Sequence, residues 1–243
     1  MAECGDSNQG PGRHQEFRQE QESRGPQELR LLYFKSAGRA EPIRWILALK
    51  GVSYEDHRID KPTQWKDFKP DMPWGQVPIL YVNGEPLPQT VAICRYLAEL
   101  YSLKPATAWR CARADAVAEA VSDITNRAAT VRRATEPEIK RALRAEFLET
   151  RLPQFLTQLE GKLTYGEFLC GDQVCWADIY LATMLEVIGA ICRLDDPSAG
   201  FPRTAALVSR VRAIPEIAAW IARRPPSIVG EDPPATGAAA EGK

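Results

Sequence analysis

Two features between residues 76 and 97 suit the capture of an extended peptide that carries a carboxylate. Val77-Pro78 opens the apolar run Ile79-Leu80-Tyr81-Val82. If that bond is cis, the Val77 backbone turns its N–H and C=O outward, free to pair with an extended chain; trans is the default for an X-Pro bond. Downstream, Thr90 stands as a helix N-cap ahead of an apolar face of Val91, Ile93, Cys94 and Leu97. A helix N-terminus favours a carboxylate. The stretch therefore reads as a groove with open backbone on one side and an anion seat on the other. Trp65 and Lys69, four apart on a short helical turn, present two donors on one face. Arg39 follows Gly38 at a helix start, where a cation opposes the helix dipole. That local conflict suits an arginine kept for function. Tyr33, at the end of a strand, reads on its own as a core tyrosine.

Other chemistries find little support. Six cysteines stand at 4, 94, 111, 170, 175 and 192, with no Cys-x-x-Cys spacing, and the two histidines are His14 and His57. No zinc ligand set emerges, and no metal site is expected. The cysteines read as small buried hydrophobes of a reducing cytosol.

The elements that position these residues can be traced in order. Leu29 to Phe34 is a strand, and Ser36-Ala37-Gly38 is a turn. Arg39 to Lys50 is a helix with Pro42 in its first turn and Gly51 at its end. Val52 to Ile59 is a second, parallel strand, and Pro62 to Phe68 is a short helix or turn. Val77 to Leu97 is a strand, an Asn83-Gly84 turn, a further strand and a helix. After a linker at 102–107 the strand signal disappears. Ala108 to Arg133 is one long helix. Thr135-Glu136-Pro137-Glu138 reads as a capping box that opens a helix to about Glu160, bent or interrupted at Pro153. Trp176 to Ala190 is a strongly apolar, buried helix, followed by helices at Thr204–Ala213 and Pro215–Arg223. The organisation expected is an extension at 1–28 too polar to order itself, an α/β domain at 29–103 of thioredoxin-like size, an all-α domain at 104–230 and a loose tail at 231–243.

The 243 residues carry a net charge of −1, which gives no reason to expect a nucleic-acid partner. No run of 18 apolar residues marks a transmembrane helix, and the polar N-terminal stretch lacks the apolar core of a secretory signal.

Several segments, taken together, resemble the soluble glutathione transferases. They are Leu31-Leu32-Tyr33-Phe34, Gly38-Arg39-Ala40-Glu41, Tyr54-Glu55-Asp56-His57-Arg58-Ile59, Trp65 with Lys69, and Pro73-Trp74-Gly75-Gln76-Val77-Pro78-Ile79-Leu80. The same register continues through Gln89-Thr90, Ala92-Ile93, Arg95-Tyr96-Leu97, Trp176-Ala177-Asp178 and Ala213-Ile214-Pro215 to Pro225. Within the family the chain looks most like the sigma class, which includes a glutathione-dependent prostaglandin D synthase.

The resemblance implies a thioredoxin-like domain followed by an all-α domain, a cytoplasmic homodimer, and glutathione as co-substrate. It implies that Tyr33 donates its phenolic hydrogen to the glutathione sulfur and that Arg39 supports the thiolate. Trp65 and Lys69 would hold the glycyl carboxylate. Gly75, Gln76, Val77 and Pro78 would line the cysteinyl unit. Gln89 and Thr90 would hold the γ-glutamyl end, and Asp123 would reach across the dimer to the partner's ligand. Ala37, Gly38, Tyr180 and Met184 would contribute to an electrophile pocket between the domains. The implied activity is conjugation of the thiolate to soft hydrophobic electrophiles. Isomerisation of prostaglandin H2 to D2 is the second enzymatic reading. A non-catalytic binding or crystallin-like structural role is the third. Cys175 replaces the Ser or Thr that the family places at the N-cap ahead of Asp178, which implies a cap weaker by about 1 kcal/mol.

Overall fold

A computed structural model describes residues 27–163 and 166–226. The extension at 1–28 therefore falls almost wholly outside the described residues, and the tail at 231–243 does so entirely. Strand β1 (Leu29–Phe34) leads through a 3-10 turn at Gly38–Ala40 into α1 (Glu41–Leu49). Then follow β2 (Glu55–Ile59), the short helix α2 (Trp65–Phe68), and 3-10 turns at Lys69–Asp71 and Pro73–Gly75. Strands β3 (Ile79–Val82) and β4 (Glu85–Pro88) and helix α3 (Thr90–Leu100) complete the α/β part.

The sheet order is β2-β1-β3-β4, with β1 parallel to β2 and antiparallel to β3. A parallel neighbour requires a crossover, which α1 supplies, whereas β3 and β4 need only the Asn83-Gly84 turn. Pro86 and Pro88 are two apart on β4, at the edge of the sheet, where missing N–H groups cost least. Leu31 and Leu32 of β1 are buried on opposite faces, as a central strand requires.

The helical part runs α4 (Ala108–Arg133), α5 (Pro137–Glu146), a π-turn at Phe147–Arg151, α6 (Leu152–Lys162), α7 (Trp176–Cys192), α8 (Pro202–Arg212) and α9 (Pro215–Arg223). Thr107 caps α4 by accepting the Arg110 N–H at 3.2 Å. Helix α7 forms the centre, with Trp176, Ile179, Leu181, Met184 and Ile188 buried. This is the thioredoxin-like plus all-α architecture expected from the sequence.

Some local readings need correction. The second strand begins at Glu55 rather than Val52, and the first helical turn is 3-10 rather than α. Thr135 does not close a capping box: the N-cap is Glu136, and no side chain caps it. Pro137 at the first helical position drives the preceding residue to extended backbone, and Thr135 falls one residue outside the helix. The interruption expected at Pro153 is the π-turn just ahead of it, which places Pro153 in the first turn of α6.

At the start of α7 the Asp178 carboxylate accepts the Cys175 N–H at 2.8 Å, and the Cys175 sulfur faces the backbone of Asp178. The same carboxylate accepts the Leu169 N–H at 2.8 Å. Sulfur is a weak acceptor for this task. Cys175→Thr is expected to stabilise the chain by about 1 kcal/mol, seen as a higher melting temperature; an unchanged or lower one contradicts the reading.

Candidate functional site

Tyr33 is the next-to-last residue of β1, with its ring buried and its hydroxyl against the 3-10 turn. The Arg39 N–H donates to Tyr33 Oη at 3.0 Å. That bond occupies a lone pair and leaves the phenolic hydrogen to be given elsewhere. Gly38 makes the approach possible: a Cβ built there would lie 2.5 Å from Tyr33 Oη. Its φ of +47 is a second reason for glycine.

The turn itself is held from below by Arg44 of α1, which is fully buried. Its Nη1 donates to the carbonyls of Ser36 at 3.0 Å and Ala37 at 3.3 Å. Its other face pairs with Asp56 of β2 at 3.1 Å. Arg44 thus fixes the loop that delivers the Arg39 N–H to Tyr33, and its guanidinium carbon lies 5.9 Å from the Tyr33 ring centre. The sequence reading missed this residue, because its partners lie in the loop and on the neighbouring strand.

Glu41 was missed as well. It is 2% exposed and accepts from Trp45 Nε1 at 2.9 Å, Trp220 Nε1 at 2.9 Å and Arg224 Nη1 at 2.8 Å. Arg44 adds a fourth contact at 3.3 Å. Burial alone would raise its pKa; the Arg224 and Trp220 hydrogen bonds and the Arg44 and Arg224 charges outweigh burial and hold it below the usual carboxylate value. This one carboxylate fastens α1, which supports the Tyr33 turn, to the end of α9. In the sequence it shows only as the residue that follows Gly38-Arg39-Ala40.

A cleft opens beside the turn, lined by Arg39, Gln76, Val77, Pro78, Pro88, Gln89 and Thr90. The Val77-Pro78 bond is cis, against the default, and Val77 precedes the ladder residues of β3. Thr90 is not the N-cap. Gln89 takes that position with φ 75 and ψ 116, and Thr90 is the first helical residue. A positive φ on a residue other than glycine is unusual, and Gln89 holds it at the mouth of the cleft. The Thr90 hydroxyl donates to the Arg39 carbonyl at 3.2 Å and ties α3 to the Tyr33 turn. The first N–H groups of α3 have no carbonyl partner within the helix, as at any helix N-terminus, and the helix starts at Thr90 on the cleft wall.

Trp65 packs edge-on against Phe34, the residue after Tyr33, at 5.2 Å. The Lys69 N–H donates to the Trp65 carbonyl, so the four-residue spacing is kept, and the Lys69 side chain lies over Gly75. Across the cleft the Arg39 guanidinium donates to Asn126 of α4. Asp123, one turn earlier on α4, is exposed.

Two residues expected at the electrophile pocket are buried. Met184 is fully buried in the centre of α7. Tyr180 is 4% exposed and hydrogen-bonds Ser122 at 2.8 Å. Gly38 lies against the Tyr33 hydroxyl, and Ala37 precedes it in the chain. Among the described residues no group of three or more His, Cys, Asp or Glu side chains could hold a metal ion, and no helix is long and apolar enough to cross a membrane.

Comparison with known proteins places this geometry in a family. Residues 29–99 match the N-terminal domain model of glutathione S-transferase, and residues 122–224 match the C-terminal domain model. The chain is 34% identical over 200 residues to hematopoietic prostaglandin D synthase of Mus musculus, covering 81% of this chain and 96% of that one. It is 31% identical over 198 residues to glutathione S-transferase S1 of Drosophila melanogaster, covering 80% and 78%. The solved structure of rat hematopoietic prostaglandin D synthase with a quinoline superposes with a TM-score of 0.76 at 34% identity, covering 82% of this chain and 98% of that one.

Proposed function

Because the chain belongs to the glutathione S-transferase family, whose co-substrate is glutathione, we propose that Tyr33 is the residue that makes and keeps the glutathione thiolate. The observation that carries the reading is the Arg39 N–H bond to Tyr33 Oη, which fixes the phenol without consuming its hydrogen. The thiolate, not the thiol, is the nucleophile, and a free thiol titrates near pH ~8.5. A hydrogen bond from a positioned phenol in a partly dry cleft lowers that value, each unit being worth about 1.4 kcal/mol. The thiol proton leaves to solvent. The sulfur then attacks a soft electrophile by addition, or by aromatic substitution with loss of the leaving group as an anion.

In this reading residues 29–103 form the glutathione-binding domain and 104–230 the helical domain. The γ-glutamyl carboxylate lies against the Thr90 N–H and hydroxyl, with Gln89 beside it. The Val77 backbone pairs with the cysteinyl unit next to Gln76 and Pro78. Trp65 Nε1 and Lys69 Nζ hold the glycyl carboxylate, with Gly75 leaving room for the lysine. Arg39, anchored to Asn126, adds positive potential next to the sulfur. Asp123, exposed on α4, reaches the partner's ligand in a cytoplasmic, sigma-class homodimer. Ala37 and Gly38 form the near wall for the electrophile, with Tyr180 and Met184 backing it from the core. Detoxification of hydrophobic electrophiles is the role that fits such a site.

The name of the mouse relative favours a second reading, prostaglandin isomerisation. Against it, α4 offers Ala128, Ala129 and Thr130 where an aromatic wall is wanted, and the first two are buried. An assay with glutathione and a chlorodinitrobenzene-type acceptor tests the main reading. Glutathione-dependent product formation is expected. Tight glutathione binding with no turnover on any such acceptor would leave a ligand-binding protein instead.

A further inference from the structure

Away from the cleft, the loop between α6 and α7 carries two thiols that no step above uses. The Asp178 carboxylate accepts N–H groups from both Leu169 and Cys175, each at 2.8 Å. Pinning residues 169 and 175 to one carboxylate folds the loop back on itself and brings the Cys170 and Cys175 thiols into hydrogen-bonding contact. The two differ in surroundings. Cys175 is buried at the helix cap, and Cys170 is half-buried beside α4, where its thiol reaches the Arg110 carbonyl at 3.4 Å. The hydrogen bond from Cys175 first, and then the Arg113 and Arg110 charges, hold Cys170 below the usual thiol value; the Cys170 contact and burial push Cys175 above it.

Next to this pair a cavity of about 300 Å³ opens between α4 and α6, lined in part by Arg113, Phe155, Lys162 and Leu169. Arg113 serves both features: it walls the cavity and its charge acts on Cys170. Arg113 and Lys162 on the wall of a largely apolar cavity can pair with two of the four carboxylates of glutathione disulfide and hold one of its ends beside the half-buried thiol.

We infer that Cys170 and Cys175 form a two-thiol redox site that reacts with glutathione disulfide, Cys170 attacking and Cys175 resolving. The Cys170 thiolate attacks one sulfur of glutathione disulfide. That S–S bond breaks, and one glutathione leaves as a thiolate that takes a proton from solvent. A mixed disulfide now joins Cys170 to the other glutathione. The Cys175 sulfur attacks Cys170 Sγ, giving up its proton to the second glutathione as that leaves. Two protein thiols are oxidised, and one glutathione disulfide is reduced to two molecules of glutathione. The site responds to the balance between the thiol and disulfide forms of the tripeptide. It does not rest on the transferase reading, because its chemistry needs neither Tyr33 nor the cleft.

The test uses the full chain, reduced and then exposed to glutathione disulfide, with the peptide spanning both cysteines analysed by mass spectrometry. The wild type is expected to lose two hydrogens from that peptide and to recover them in excess reduced glutathione. Cys175→Thr keeps the helix cap and is expected to stop at the mixed disulfide, with one glutathione on Cys170. Cys170→Ser is expected to leave Cys175 unmodified, with reduced transferase activity unchanged. Retention of both thiols in the wild type overturns the proposal. So does a Cys175→Thr chain without the adduct, or a Cys170→Ser chain in which Cys175 reacts as fast as the wild-type pair.

Discussion

Tyr33→Phe is expected to lower kcat/KM about 10²–10³-fold, the size typical of losing one positioned donor to a developing or stabilised anion. The ring survives the change and still packs against Phe34 at 5.2 Å. The fold should therefore persist. The substitution also strands the Arg39 N–H, which loses its acceptor. That costs about 1–3 kcal/mol if the N–H stays dry, so melting temperature and activity should be measured on the same samples. The loss should fall mainly on kcat/KM at neutral pH and shrink as the pH rises, because free thiolate then forms without help. A uniform loss at every pH would instead mean that the substitution damaged binding. Glutathione affinity, which we assign to the cleft around Val77 and Thr90, should change little.

The second large effect lies outside the cleft. Removing the Glu41 carboxylate should cost about 3–5 kcal/mol, the usual result of leaving buried cations without their partner. Arg44 is fully buried and retains Asp56, while Arg224 retains Glu186 at 2.6 Å. These remaining pairs keep the cost within that range rather than above it. For a domain pair of this size the melting temperature of Glu41→Ala should fall by roughly 10 °C.

The pH dependence has a definite sign. The folded pKa of Glu41 lies below its ordinary value of 4.5, so its contribution is complete above that pH and is lost as the pH falls below it through the folded value. Wild type should accordingly lose stability between pH 4.5 and more acid conditions faster than Glu41→Gln does. Parallel curves would show that the carboxylate is not held as described.

What was readable from sequence, and what was not, divides by distance along the chain. The β3–β4 hairpin was legible because Asn83-Gly84 and the apolar run beside it are adjacent signals. The long α4 and the buried α7 were legible from their composition alone. Thr135-Glu138 misled because a capping-box pattern competes with Pro137, and the proline decides where the helix starts. Thr90 misled for a related reason: Gln89 adopts a positive φ that its residue type does not announce, which moves the cap back by one. Glu41 and Arg44 were opaque. The Glu41 partner Arg224 is 183 residues away, and no local pattern reports a contact of that kind. Gly38 carried a partial signal as a turn glycine, but its closeness to the Tyr33 hydroxyl needed the fold. Tyr180 and Met184 were placed by resemblance, and their depth inside α7 needed the packing.

Titrating glutathione bound to the protein, by the ultraviolet absorbance of its thiolate, tests the role of Tyr33 most directly. The wild-type complex should ionise well below pH ~8.5, the value of a free thiol, and the Tyr33→Phe complex should return close to it. Identical titrations in the two complexes would contradict the account, whatever the activities turn out to be.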